Sequence, residues 1–151
     1  MDGQSQHGIF KLTVYRADGK IEDAGMWPNL FVTEGQNYLA GFQSTSPASV
    51  MNHMLVGTVS AAATYTNLVD SFGEVARVAM ATRTAAANVL TEVATFAGGL
   101  NGITSVVLRE IGVTNDARSG PNGDLRSRTV FAAVTLAASD FLHASYTSTV
   151  S

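Results

Sequence analysis

The stretch that decides the fold is I-T-S-V-V-L-R-E-I-G-V (103–113), followed after a polar Gly/Asn/Pro-rich loop by L-R-S-R-T-V-F (125–131). β-branched residues alternate with others on both sides of a turn-forming loop, which is the pattern of paired strands and not of a helix. The first run carries Arg109 and Glu110 and is predicted to break at Gly112. The second re-enters through Arg126 and Arg128. Because Arg109 and Glu110 are adjacent on a strand they point to opposite faces. One of them must then be buried and paired or lie at an interface, since a lone buried charge is too costly.

Working outward, Phe10, Leu12 and Val14 alternate with Lys11, Thr13 and Tyr15, and Asp18-Gly19 reads as a two-residue hairpin leading into a return strand from Lys20 to Met26. Trp27-Pro28-Asn29 ends that ladder. Thr33 and Gln36 have capping-box spacing, and Tyr38, Leu39 and Phe42 supply an apolar stripe, so a short α-helix is expected near residues 33–43. A core strand is expected from Met51 to Val59. Ser60 to Asp70 is Ala/Thr-rich and weakly patterned, and reads as a surface excursion or arm. Glu74 to Arg83 and Asn88 to Ala97 alternate and read as two strands, although E-V-A-R-V-A-M-A (74–81) would also suit a helix. Thr129 to Ala137 and Phe141 to Val150 close the pattern as a pair. The expectation is a mainly β chain: a single antiparallel β-sandwich or jelly-roll-like domain over residues 1–151, with an N-terminal arm at 1–8.

Composition bounds the function. Charged residues make up 14% of the 151, against roughly a quarter in an average soluble domain, so much of the surface is neutral and suited to being covered by partners. A net charge of −3 lacks the basic footprint of a nucleic-acid binder. The absence of cysteine excludes disulfides and thiolate chemistry. No apolar run approaches a membrane span, and M-D-G-Q-S-Q-H-G at the start has no secretory pattern.

The chemistry-bearing residues have ordinary explanations. His7, His53 and His143 lie in separate elements without metal-ligand spacing, and His143 on a strand is expected to be packed or at an interface. Asp18, Asp70, Asp116, Asp124 and Asp140 fall in predicted turns, where Asp bonds the local backbone. No G-x-S-x-G elbow is present, and D-A-R-S-G-P-N-G-D (116–124) lacks the ligand ladder of a calcium loop. Gly98, Gly99 and Gly102 lie between strands and do not open a phosphate-binding helix. No catalytic residue, cofactor site or metal site is therefore expected. Arg118, Arg126 and Arg128 bracket the 120–123 tip, either as a solvated loop or as an assembly contact through bidentate pairs. With Arg109 and Trp27 they are the candidate interface residues. Trp27 with Tyr15 or Tyr38 could also form an aromatic platform for a glycan, although core packing is the commoner use of such residues.

Several motifs in order resemble those of small virion proteins of tailed bacteriophages: N-L-F-V-T-E-G-Q-N-Y-L (29–39), M-L-V-G-T (54–58), N-L-V-D-S-F-G-E-V-A-R (67–77), V-V-L-R-E-I-G-V (106–113), G-D-L-R-S-R-T-V-F (123–131) and A-S-D-F-L-H-A-S-Y-T-S-T-V-S (138–151). The chain departs from that pattern at Val113-Thr114, where a Leu-Phe pair is usual, and in the looser spacing of L-V-D-S-F-G-E. The resemblance implies a non-enzymatic virion component assembled in the host bacterial cytoplasm. It would be a homo-oligomer whose partners are the major capsid protein or other virion proteins, with no nucleic acid and no membrane. The leading expectation is a capsid decoration or cement protein. A neck or tail adaptor or fibre-attachment protein is the alternative, and a glycan-binding host-attachment module stands behind both.

Overall fold

The computed structural model describes residues 6–33, 35, 36, 51–99, 103 and 105–150, and of Gln6, His7 and Val150 the backbone alone. These residues form ten strands: β1 (Gln6–Tyr15), β2 (Ile21–Pro28), β3 (Leu30–Phe31), β4 (His53–Gly57), β5 (Glu74–Ala79), β6 (Thr82–Ala86), β7 (Val89–Ala97), β8 (Val107–Thr114), β9 (Leu125–Thr135) and β10 (Phe141–Val150). They pair antiparallel into two five-stranded sheets, sheet A in the order β2-β1-β10-β7-β6 and sheet B in the order β3-β9-β8-β4-β5. The fold is a β-sandwich.

The period-2 pattern read from the sequence puts the two inner faces together. Phe10, Leu12 and Val14 of β1 and Leu142, Ala144 and Tyr146 of β10 meet Met54 and Val56 of β4 and Leu108, Ile111 and Val113 of β8 in one buried cluster. Burying each large apolar side chain stabilises the fold by about 1.5–3 kcal/mol.

Local structure corrects several expectations. The first hairpin turns through three residues, Ala17 to Gly19, with Gly19 at φ +88° and its N–H donating to Arg16 O at 3.0 Å. This is the loop in which a residue in the left-handed region restores the strand twist. The strand expected to break at Gly112 runs on to Thr114. A Cβ on Gly112 would lie 2.6 Å from the Phe72 ring, so this glycine is a clearance for a packed aromatic and not a turn.

The run expected as one strand from Glu74 to Arg83 is two. Met80 N–H donates to Asn52 O in sheet B and Ala81 N–H donates to Val93 O in sheet A, both at 2.8 Å, so the chain changes sheets between them. β6 then returns into β7 through Ala87 and Asn88, with Ala87 at φ 52°.

Of the helix expected near 33–43, only Thr33, Gly35 and Gln36 are described, in helical conformation, with Gln36 N–H on Val32 O at 3.0 Å. The rest of it, Tyr38 included, lies outside the described residues. Thr33 N–H donates to Tyr65 O at 2.8 Å, so the capping-box bond to Gln36 is replaced by a tertiary one. Nor are residues 6–8 an arm: they pair with Ser148 to Val150 in β1 and β10, while residues 1–5 lie outside the described residues.

Candidate interaction face

The two outer faces of the sandwich differ. Sheet B is covered by the 58–73 segment, which is pinned by one buried ion pair. Glu110 Oε2 accepts from Arg128 Nε at 2.9 Å and Nη2 at 2.7 Å, while Glu110 Oε1 accepts the backbone N–H groups of Val59 (3.0 Å) and Gly73 (2.8 Å). Arg128 Nη1 reaches Asn67 Oδ1 at 3.1 Å, and its guanidinium lies 5.4 Å from the Phe72 ring centroid. Val32, Leu55, Val69, Phe72 and Leu125 close over the pair as a second apolar cluster. Ser60 to Asp70 is thus folded back on its own sheet instead of standing out as an arm.

A second carboxylate, Glu92 on β7, points into the sandwich opposite Tyr146 and is fully buried. It accepts from Arg83 Nε at 3.0 Å and is in close contact with Arg126 Nη2. The Arg126 guanidinium stacks 5.1 Å from the Tyr146 ring centroid, and Tyr146 Oη accepts from Asn29 Nδ2 at 2.9 Å. Burial raises the Tyr146 phenol above its usual value.

Arg126 turns inward because β9 is bulged there: Val113 pairs with Ser127, but Thr114 pairs with Leu125. Arg126 and Arg128 are thus buried and ion-paired inside the chain and do not stand on the surface where the sequence suggested partner contacts. Arg118 does stay on the surface, paired with Asp116 at 2.7 Å, and Asp116 is held well below the usual carboxylate range by that pair and by the Arg118 N–H. Arg109 is half-buried on β8 and pairs with no carboxylate among the described residues.

The 115–124 loop is bolted to β5. Arg77 donates to the carbonyls of Asp116, Gly120 and Asn122 at 2.9–3.1 Å, and Glu74 takes Gly120 N–H at 2.9 Å while pairing with Arg77. Turn chemistry holds for other acids as read: Asp18 Oδ1 accepts Lys20 N–H, and Asp140 accepts the N–H groups of Ala17 and Ala137.

No described segment covers the outer side of sheet A. Of eight exposed large apolar residues among the described ones, five lie on this one face: Ile9, Tyr15, Ile21, Met26 and Phe141. Register explains the grouping. Ile21, Tyr15 and Phe141 form one row across β2, β1 and β10, with His143 edge-on to Tyr15 at 6.3 Å. The remaining rows are mostly Thr and Ser, such as Thr147 with Thr91 and Thr84. Strands of 8, 10, 10, 9 and 5 residues at ordinary rise and spacing give an area of about 700 Å².

Trp27 is not part of this face. It pairs with Phe10 and packs half-buried on the inner side, its Nε1–H donating to Ala24 O at 2.8 Å. A Tyr15–Trp27 platform is therefore not formed, because the two rings lie on opposite sides of sheet A. Among the described residues no group of three or more His, Asp or Glu side chains is placed to hold a metal ion. Comparisons with protein-family models, curated proteins and solved structures return no match.

Proposed function

We propose that the chain is a virion structural protein of a tailed bacteriophage, a capsid decoration protein that docks on the head shell through the outer face of sheet A. The observation that carries this reading is the asymmetry of the sandwich. One outer face is sealed by the chain's own 58–73 segment, whereas the other, left open by the described residues, presents a surface of few charges with Ile21, Tyr15 and Phe141 in a row at one end.

The area of that face, about 700 Å², falls within one partner's share of a standard stable interface, roughly 600–1,000 Å². Its charge is low enough that docking desolvates few ions: Lys11 and Asp23 are the charged residues that the register places there. Each copy bound to the assembled shell and not to its dissociated subunits stabilises the shell by mass action. The motif resemblance supports the same class of protein.

Copy number in particles of the encoding phage tests the proposal. Quantitative mass spectrometry against the major capsid protein should give on the order of hundreds of copies per particle. A count of about six or twelve would move the protein to the neck or tail. Absence from the particle would overturn the virion reading.

A further inference from the structure

Among the described residues the two sheets end in four edge strands, β2 and β6 in sheet A and β3 and β5 in sheet B. An edge strand offers a row of unpaired N–H and C=O groups, and folds blunt it with bulges, proline, charge or brevity. Three of these edges are blunted. β2 is bulged between its pairings to Lys11 and Thr13, ends in Pro28 and carries Glu22 and Asp23. β3 has two residues. β5 carries the Glu74–Arg77 pair and meets a register shift at Gly57.

β6 has none of these devices. Thr82 to Ala86 pair with β7 in unbroken register, contain no proline and are exposed throughout. Arg83 and Ala85 share the inner side of sheet A with the buried Glu92, yet both are exposed, so β6 overhangs the edge of sheet B. Arg83 is the strand's one charge. An inward-pointing charge guards an edge when pairing would bury it alone, but Arg83 Nε already has Glu92 Oε1 at 3.0 Å. The two-residue turn at Ala87-Asn88 makes Ala86 and Val89 a hydrogen-bonded pair. The backbone groups of Ala86 and Thr84 therefore face β7, and those of Arg83 and Ala85 face the open edge.

We propose that the β6 edge pairs antiparallel with the β6 edge of a second copy of this chain, about a twofold axis through Thr84. Arg83 of each copy then lies opposite Ala85 of the other in a hydrogen-bonded pair, with Thr84 opposite its counterpart between them. No two charges are directly opposed, and Thr–Thr is a favourable cross-strand pair. Sliding by two residues one way sets Arg83 against its counterpart, and the other way runs Arg83 onto the turn at Ala87. The edge is thus complementary to itself in one register. The axis stands perpendicular to the sheet, so both outer faces lie on the same side of one continuous ten-stranded sheet. The contact is small, below the roughly 1,200 Å² of a stable complex, so the association is weak. This inference stands apart from the shell-docking reading, because it concerns the chain in solution.

The chain has no cysteine, so Thr84→Cys places one thiol per copy on the axis. Opposed residues at a non-hydrogen-bonded position lie about 4.5 Å apart at Cα, within disulfide reach. Thr95→Cys, exposed on β7 of the same sheet, leaves its thiols at least about 14 Å apart and is the control. Under one oxidant, Thr84→Cys should form a covalent dimer about tenfold faster than Thr95→Cys. Sedimentation equilibrium of the unaltered chain needs no variant to fold. From about 10 µM to 1 mM its mass should rise from 15.8 kDa toward twice that, and Thr84→Lys should abolish the rise. Crosslinking at equal rates, a mass that stays at 15.8 kDa, or a rise that Thr84→Lys leaves unchanged would overturn the proposal.

Discussion

Glu110 on β8 and Arg128 on β9 are diagonal neighbours on the outer face of sheet B, with Oε2 2.7 Å from Nη2 and side chains 0% and 1% exposed. The same carboxylate holds backbone N–H groups at both ends of the covering segment, at Val59 and Gly73. One buried charge pair thereby decides which face of the sandwich is closed. The other face is left as the candidate docking surface.

Removing one partner of that pair strands the other charge out of water. Glu110→Ala is expected to cost about 3–5 kcal/mol in chemical denaturation. It should also make the 58–73 segment cleavable by protease before global unfolding. Glu110→Met with Arg128→Leu should recover only part of the loss, because the N–H groups of Val59 and Gly73 remain unpaired. A loss under about 1 kcal/mol for Glu110→Ala, with protease resistance unchanged, would contradict this role.

Asp140 predicts the acid limb of stability. Hydrogen bonds from Ala137 N–H, Arg16 and Ala17 N–H hold its carboxyl below its ordinary value of 3.8. A depressed folded pKa gives stability that is fully present above the unfolded value and is lost as pH falls through the folded one. Stability should therefore fall as pH drops below about 4. Asp140→Asn should be less stable at neutral pH and should lose less between pH 5 and pH 3 than the unaltered chain. Equal acid slopes in the two proteins, measured by urea denaturation across that range, would rule this contribution out.

Ala87 sits at φ 52° in the two-residue turn between β6 and β7. That region carries a Cβ penalty of about 1–2 kcal/mol for residues other than glycine. Ala87→Gly relieves it at some cost in unfolded-chain entropy, and should stabilise the protein by about 0.5–1 kcal/mol. A variant that melts lower than the unaltered chain would show that the turn does not have this conformation in solution.

Much of the sandwich was legible because alternation is a local signal. β10 from Leu142 to Ser148, β1 from Gly8 to Val14 and β7 from Glu92 to Phe96 bury every second residue, and the sequence shows that period directly. β6 was illegible for a physical reason: Thr82 to Ala86 are all exposed, so no buried face imposes a period, and Ala87 stands where a glycine would have announced the turn. Glu110 was foreseen only as one of two possibilities, Arg109 being the other. Which of them is buried depends on the register shift between β8 and β9, a pairing property of two strands. Arg126 and Arg128 read as a surface cluster because their partners, Glu92 and Glu110, lie 34 and 18 residues away. Gly112 read as a break because the aromatic ring it makes room for, Phe72, belongs to another part of the chain.

The most direct test of the docking face is co-sedimentation of the purified protein with undecorated head shells of the encoding phage, comparing the unaltered chain with Phe141→Lys. Phe141 is 45% exposed in the apolar row beside Tyr15, so the substitution leaves the core untouched. Saturable binding by the unaltered protein, weakened tenfold or more by Phe141→Lys at unchanged thermal stability, is the result the account predicts. Equal binding of the two proteins, or no binding of either, would contradict it.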